Sequence, residues 1–309
     1  MRHAGTAAAI TAATALAGLA PGLAAAQEVK IEDAVARVVV IVEDRADIGV
    51  EIDAPAGTPV PVRLERRGRD VILRGDVRDR DLRSCERAGP AGTQPGEGAF
   101  VTLRERGRVE LSEAPLILVR TPREVRVSAE GGVFGAIGRG AGSVRLGNAG
   151  CGDWTVADVG GDLKVALAGS GDLRAGHAEN VDLALAGSGD AVIGGSRRVR
   201  VATPGSGSVR LGPVTGDAFI GLSGSGDVHL AAVGGDLEAS IAGSGSVFVA
   251  GGRSGALTAN IVGSGDVRHG GEVGRVEVNI VGSGDVAVAR ASGEVRRRVL
   301  GSGDLRIGR

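Results

Sequence analysis

Gly-Ser-Gly occurs eight times in the second half of this chain, opening at Gly169, Gly187, Gly205, Gly224, Gly243, Gly263, Gly282 and Gly301. Six copies are followed by Asp, as Gly171-Asp172, Gly189-Asp190, Gly226-Asp227, Gly265-Asp266, Gly284-Asp285 and Gly303-Asp304. Two are followed by Ser (Ser208, Ser246), and Gly150-Cys151-Gly152-Asp153 is a degenerate copy one period upstream. Successive copies stand 18 to 20 residues apart. A period this steady constrains the fold to a solenoid, in which each unit buries its apolar face only against its neighbours.

The residues flanking each triplet say what the unit is made of. Two, four and six places before the first Gly the residues are nearly always apolar, as in Leu163, Val165, Leu167 or Val276, Val278, Ile280, with polar residues such as Lys164 and Glu277 between them. Apolar residues return four and six places after it, as in Val228 and Leu230. Period-two alternation with one buried face predicts strands. Each unit therefore reads as strand, Gly-rich corner, strand and a second turn. Coils stacked about 4.8 Å apart would pair equivalent strands in parallel, and the crossover preference favours a right-handed coil. The predicted fold is all-β: a right-handed parallel β-helix of about 19-residue coils over residues 131–309, behind a β-rich entry and capping region over 27–130.

Glycine at two fixed places in a corner implies positive φ or close backbone approach. Asp or Ser at the next place suits a side chain that accepts hydrogen bonds from N–H groups of the turn. The corner residues are thus read as structural. A rival reading is cation binding, because carboxylates stacked on successive coils repel unless something neutralises them; Asp172, Asp190, Asp266 and Asp285 are its candidates. Calcium-binding β-rolls space Gly and Asp differently, however, and Ser208 and Ser246 interrupt the acidic column. Carboxylates on adjacent coils also admit a polysaccharide-cleaving enzyme, though every coil offers the same group and none is singled out. No Ser-His-Asp order, Cys-His pair or phosphate loop is found. His177, His229 and His269 fall at different places in their repeats and read as surface or edge residues. No catalytic residue and no cofactor is assigned.

Composition narrows the partners. Basic and acidic residues number 36 and 37, so no global field draws the chain to nucleic acid. Aromatic residues are only 2%, as a thin core of Val, Leu, Ile and Ala would require. Arg2 and His3, the apolar run from Ala7 to Leu19 and the small residues Ala24 and Ala26 read as a signal peptide over 1–26. That run falls short of the roughly 20 residues of a membrane span, so no transmembrane anchor is expected after cleavage. Cys85 and Cys151 are the two cysteines of a chain bound for an oxidising space; they either pair, tying the entry region to the first corner, or stay separate thiols.

Between residues 27 and 130, apolar runs at Val38–Val42, Ile48–Ile52, Val60–Leu64, Val71–Leu73, Phe100–Leu103, Val109–Leu111, Leu116–Val119 and Val125–Val127 predict a β-meander. The charged stretch from Arg74 to Gly98 predicts a long loop. This region is expected to cover the open end of the array. Trp154 is expected in the core at the cap junction, and Arg297, at an inward place of the last coil, is read as a device against end-to-end growth.

The recurrent Gly-Ser-Gly-Asp followed by an apolar residue, as in Gly224 to Val228 and Gly263 to Val267, together with Gly150 to Val156, resembles the "putative auto-transporter adhesin, head GIN domain" family. The resemblance covers about residues 131–309. It implies a β-solenoid head at the cell envelope and carries no catalytic residues. The last residues, Gly303 to Arg309, still belong to the repeat and show no membrane-barrel pattern. A periplasmic or extracellular location is therefore expected. The reading is an exported, non-enzymatic scaffold for envelope or surface components, glycans among them. Its alternatives are a polysaccharide-cleaving enzyme and a calcium-dependent structural module.

Overall fold

The structure, a computed structural model, describes residues 27–87 and 94–308. The signal-peptide reading of 1–26 lies outside the described residues. Parallel coils of about 19 residues stack into a β-solenoid of about 10 turns. Among the described residues there is no α-helix, and one short 3-10 turn lies at Asp79–Asp81.

Two parallel sheets run the length of the stack. The first holds the strands that precede each corner, in the order Ser143–Gly150, Asp162–Gly169, Ala178–Gly187, Ser196–Thr203 and onwards to Val295–Gly301. The second holds the short strands that follow, from Trp154–Val156 to Leu305–Ile307. Registers step by whole coils: Leu163 pairs with Val181, Val181 with Val199, and Val199 with Ala218. Inward residues thus form columns, and one continuous core runs from Val29 to Val288. A third, shorter side joins from Ser196, which pairs with Val214, followed by Val233 and Gly252.

The entry region departs from the expected meander. Strand β1 (Val29–Val42) is a full rung, paired in parallel with β4 (Asp70–Arg74), β8 (Leu116–Thr121) and β9 (Glu124–Ile137). The stack then closes with antiparallel strands, β2 (Gly49–Asp53) on β8 and β3 (Arg63–Arg67) on β4. The alternation visible in β1 and β9 is that of a coil. Its repeat was hidden because the Gly-Ser-Gly corner is absent there: the bend falls at Asp33, the one described non-glycine residue with positive φ (51°), and at Gly131 (104°). The run Val60–Leu64 is strand only from Arg63, and the predicted loop after Arg74 contains a strand, β5 (Leu82–Arg87).

β5 pairs with β6 (Ala99–Leu103), and β6 with β7 (Gly107–Glu110), in an antiparallel lobe outside the second sheet. A second core joins lobe and stack, with Val101, Val109 and Leu111 packed around Val35 and Phe134, which point outward from β1 and β9. Cys85 on β5 and Cys151 are bonded, with Cα atoms 5.6 Å apart. Cys151 takes the place of the outward serine of later corners, so its side chain leaves the coil toward the lobe. The bridge closes a loop of 66 residues, and removing it with Cys85→Ser should lower unfolding free energy by about 3 to 4 kcal/mol. Urea titration of oxidised protein against the variant checks this.

Candidate functional site

Gly169 has φ of 131°, and a Cβ there would collide with the carbonyl oxygen of Gly150 in the coil before. Gly171 stands over the carbonyl of Gly152 in the same way. Glycine is required because consecutive coils touch backbone to backbone at both places.

The aspartates hold those coils together. Asp190 N–H donates to Asp172 Oδ1 (2.8 Å), Ser208 N–H to Asp190 Oδ1 (2.9 Å), Asp285 N–H to Asp266 Oδ1 (2.9 Å) and Asp304 N–H to Asp285 Oδ1 (2.9 Å). The acceptor thus serves the following coil, where the sequence reading placed it within its own turn. Serine at 208 and 246 keeps the donating half of the contact, Ser246 N–H reaching Asp227 Oδ1 at 2.9 Å, and leaves out the accepting half toward the next coil. At the last corner Asp304 Oδ1 instead accepts from Leu305 N–H (2.8 Å) and meets Arg297 at 3.1 Å. Burial, opposed by the Asp190 amide and reinforced by the carboxylates of Asp153 and Asp190, holds Asp172 above the ordinary carboxylate range.

Among the described residues no group of three or more His, Cys, Asp or Glu is placed to hold a metal ion. The two readings of the column separate cleanly in variants. Asp190→Ala should cost about 1 to 2 kcal/mol, and Asp190→Asn, which keeps an oxygen acceptor, well under 1. Equal losses in both, together with stabilisation by calcium that either variant abolishes, would restore the cation reading.

Two surface depressions are notable, one reaching the first corners and one clear of them. A cleft of about 600 Å³ separates the lobe from the first coils, walled by Arg87, Gln94, Asp153, Asp172 and Arg174 and bounded by the disulfide. Arg87 binds Asp153 at 2.7 Å across it. No local sequence pattern announces this cleft, because one wall of it is built by β5, inside the charged stretch that reads as loop. A groove of about 250 Å³ runs along the outer face of the first sheet, lined by Asp162, Lys164, Asn180, Asp182, Arg200 and Phe219. The Arg200 guanidinium stands 5.3 Å from the Phe219 ring centre. On the second sheet Phe248, 41% exposed, lies beside His229.

Trp154 is buried, its ring lying over Gly135, where a Cβ would collide with it. Arg297 occupies the column of Val278 but is half-exposed over the last coil. His269 corrects the surface reading of the histidines: it is 1% exposed, in the inward column between Val249 and Val288. Gly271 N–H donates to its Nδ1 (3.1 Å), leaving Nε2–H to donate to Ser254 Oγ (3.0 Å). The Ser-His pair is enclosed in the core. Burial lowers the His269 pKa below its usual 6.5. The unfolded chain therefore takes up a proton that the folded chain resists, so this site's stability is complete above pH 6.5 and falls as pH drops toward the lower folded value. His269→Val, matching its column neighbours, should flatten the dependence of unfolding free energy on pH between about 5 and 7; an unchanged slope would assign it to other groups.

Fold and surface together define a parallel β-solenoid with a stapled side lobe. Residues 212–308 match the family described as "Putative auto-transporter adhesin, head GIN domain". No curated protein matches. Among solved structures, a "Putative lipid binding protein" from Parabacteroides distasonis is similar at 13% identity over 92% of each chain, with a TM-score of 0.33. No helix of the described residues is long and apolar enough to cross a membrane.

Proposed function

We propose that this protein is an exported, non-enzymatic binding head that holds envelope or surface components, glycans among them, on its outward sheet faces. In this reading residues 27–130 close the entry end and residues 131–309 present the repeat. The observation that carries it is the division of labour within each coil. Corner glycines and aspartates are engaged with the next coil, whereas outward strand residues such as Lys164 and Arg200 are set in register on an open face. A rigid array of this kind offers the same spacing to every segment of a repeating ligand. The match of residues 212–308 to an adhesin-head family supports the same reading.

A second reading, polysaccharide cleavage, draws on the groove that sets Asp162 and Asp182 beside Lys164 and Arg200 on one sheet. One experiment addresses both. The purified protein is screened against envelope fractions and defined glycans, with product analysis of each polysaccharide. Retention without new chain ends is expected; shortened chains would replace the binding head by the enzyme, and no retention anywhere would remove the head.

A further inference from the structure

We propose that the outer face of the first sheet carries a track for an acidic polysaccharide, laid along the rod with about one uronate residue per coil. This rests on the binding-head reading above. Arg126, Arg145 and Lys164 occupy one outward column on three successive coils: Arg126 pairs with Arg145, and Arg145 with Lys164. Like charges directly opposite one another on a sheet are destabilising. Elsewhere on the surface some arginines are neutralised by a carboxylate, as Arg74 is by Glu32 and Arg120 by Glu43. Among the described residues, no ion pair and no side-chain hydrogen bond neutralises Arg126, Arg145 or Lys164. The column continues through Asp182 to Arg200 and Phe219, where it enters the groove of about 250 Å³.

The surroundings fit a polymer lying flat. Beside the column the next outward places are Ser128, Gly147, Ala166, Ala184 and Ala202, so nothing tall blocks a chain along the axis. From Arg126 to Arg200 is four coil steps, about 19 Å. A hexose in an extended chain advances by close to one such step, so a carboxylate on each sugar would meet a cation on each of the first three coils. Phe219 would take the apolar face of a sugar ring, and Asn180 and Arg198 its hydroxyls. Duplex DNA fits less well, since each strand's phosphates rise 3.4 Å per nucleotide along the duplex axis against about 4.8 Å per coil. Asp182 is the one acidic residue in the track, and Glu124 and Asp162 border it.

The test is calorimetry of the purified protein with polygalacturonate oligomers, a neutral glucan of equal length and a duplex DNA, at low and physiological salt. The expected result is polygalacturonate binding that weakens with salt, with neither glucan nor DNA competing. The triple change Arg126→Ser, Arg145→Ser, Lys164→Ser should lower affinity by about tenfold or more. Asp182→Arg should raise it several-fold, a gain that a misfolded variant could not produce. No polygalacturonate binding, a triple variant that binds like wild type, or DNA binding of equal strength lost in the same variant would each overturn the proposal. Envelope-fraction capture separates the two levels. A triple variant that captures as wild type does sinks the track and spares the head, whereas a wild type that captures nothing sinks the head itself.

Discussion

Gly169→Ala is expected to lower unfolding free energy by about 4 kcal/mol, through two independent costs. The φ of 131° at this position is one that a residue with a Cβ rarely adopts, at about 1 to 3 kcal/mol. The added carbon would also meet the Gly150 carbonyl. That collision is with backbone on a neighbouring coil, so relief requires the coils to part, an overpacking cost of about 1 to 3 kcal/mol. Ser170→Ala, one residue on and exposed, is the control and should stay within about 0.5 kcal/mol. Chemical denaturation followed by far-UV circular dichroism compares them. Equal midpoints for both variants and wild type would show that the corner does not need its glycine.

Ile241→Asp should be at least as damaging. Ile241 is buried in a column between Leu222 and Ile261, and no cation lines that column to pair with an introduced carboxylate. Losing the side chain costs about 2 to 5 kcal/mol, and an uncompensated buried acid adds more. Because each coil is supported only by its neighbours, the damage should spread. Hydrogen exchange should show lost protection in the strands around Leu222 and Ile261 as well as at residue 241. Ala242→Asp, pointing outward one residue later, should leave the pattern intact. Loss confined to a single coil would contradict the shared core.

Legibility in the sequence followed periodicity. Columns such as Leu163, Val181, Val199 and Ala218 were readable because a 19-residue repeat fixes both the alternation and the register. β1 and β9 were not seen as coils because Asp33 and Gly131 make the same bend without the triplet. In the lobe, β6 and β7 are legible as the runs Phe100–Leu103 and Val109–Leu111, but β5 is not. It is charged, and the lobe is held by residues far away in sequence, Val35, Phe134 and Cys151, so no local pattern announces β5 or where the lobe docks. His269 was misplaced because a polar side chain at an inward place looks like an edge residue until Ser254 and the Gly271 amide supply its partners. The track of Arg126, Arg145 and Lys164 needed the register between coils, since the absence of a neutralising neighbour can be read only in three dimensions.

The aspartate ladder also gives the rod a sense of direction. Corner carboxylates up to Asp285 face forward, offering an oxygen to an amide of the coil that follows, and the ladder is interrupted only after Ser208 and Ser246. At the last corner that outgoing oxygen is already turned onto Leu305 and Arg297. The same residue type thus welds successive coils along the ladder and, at Asp304, is held within its own coil.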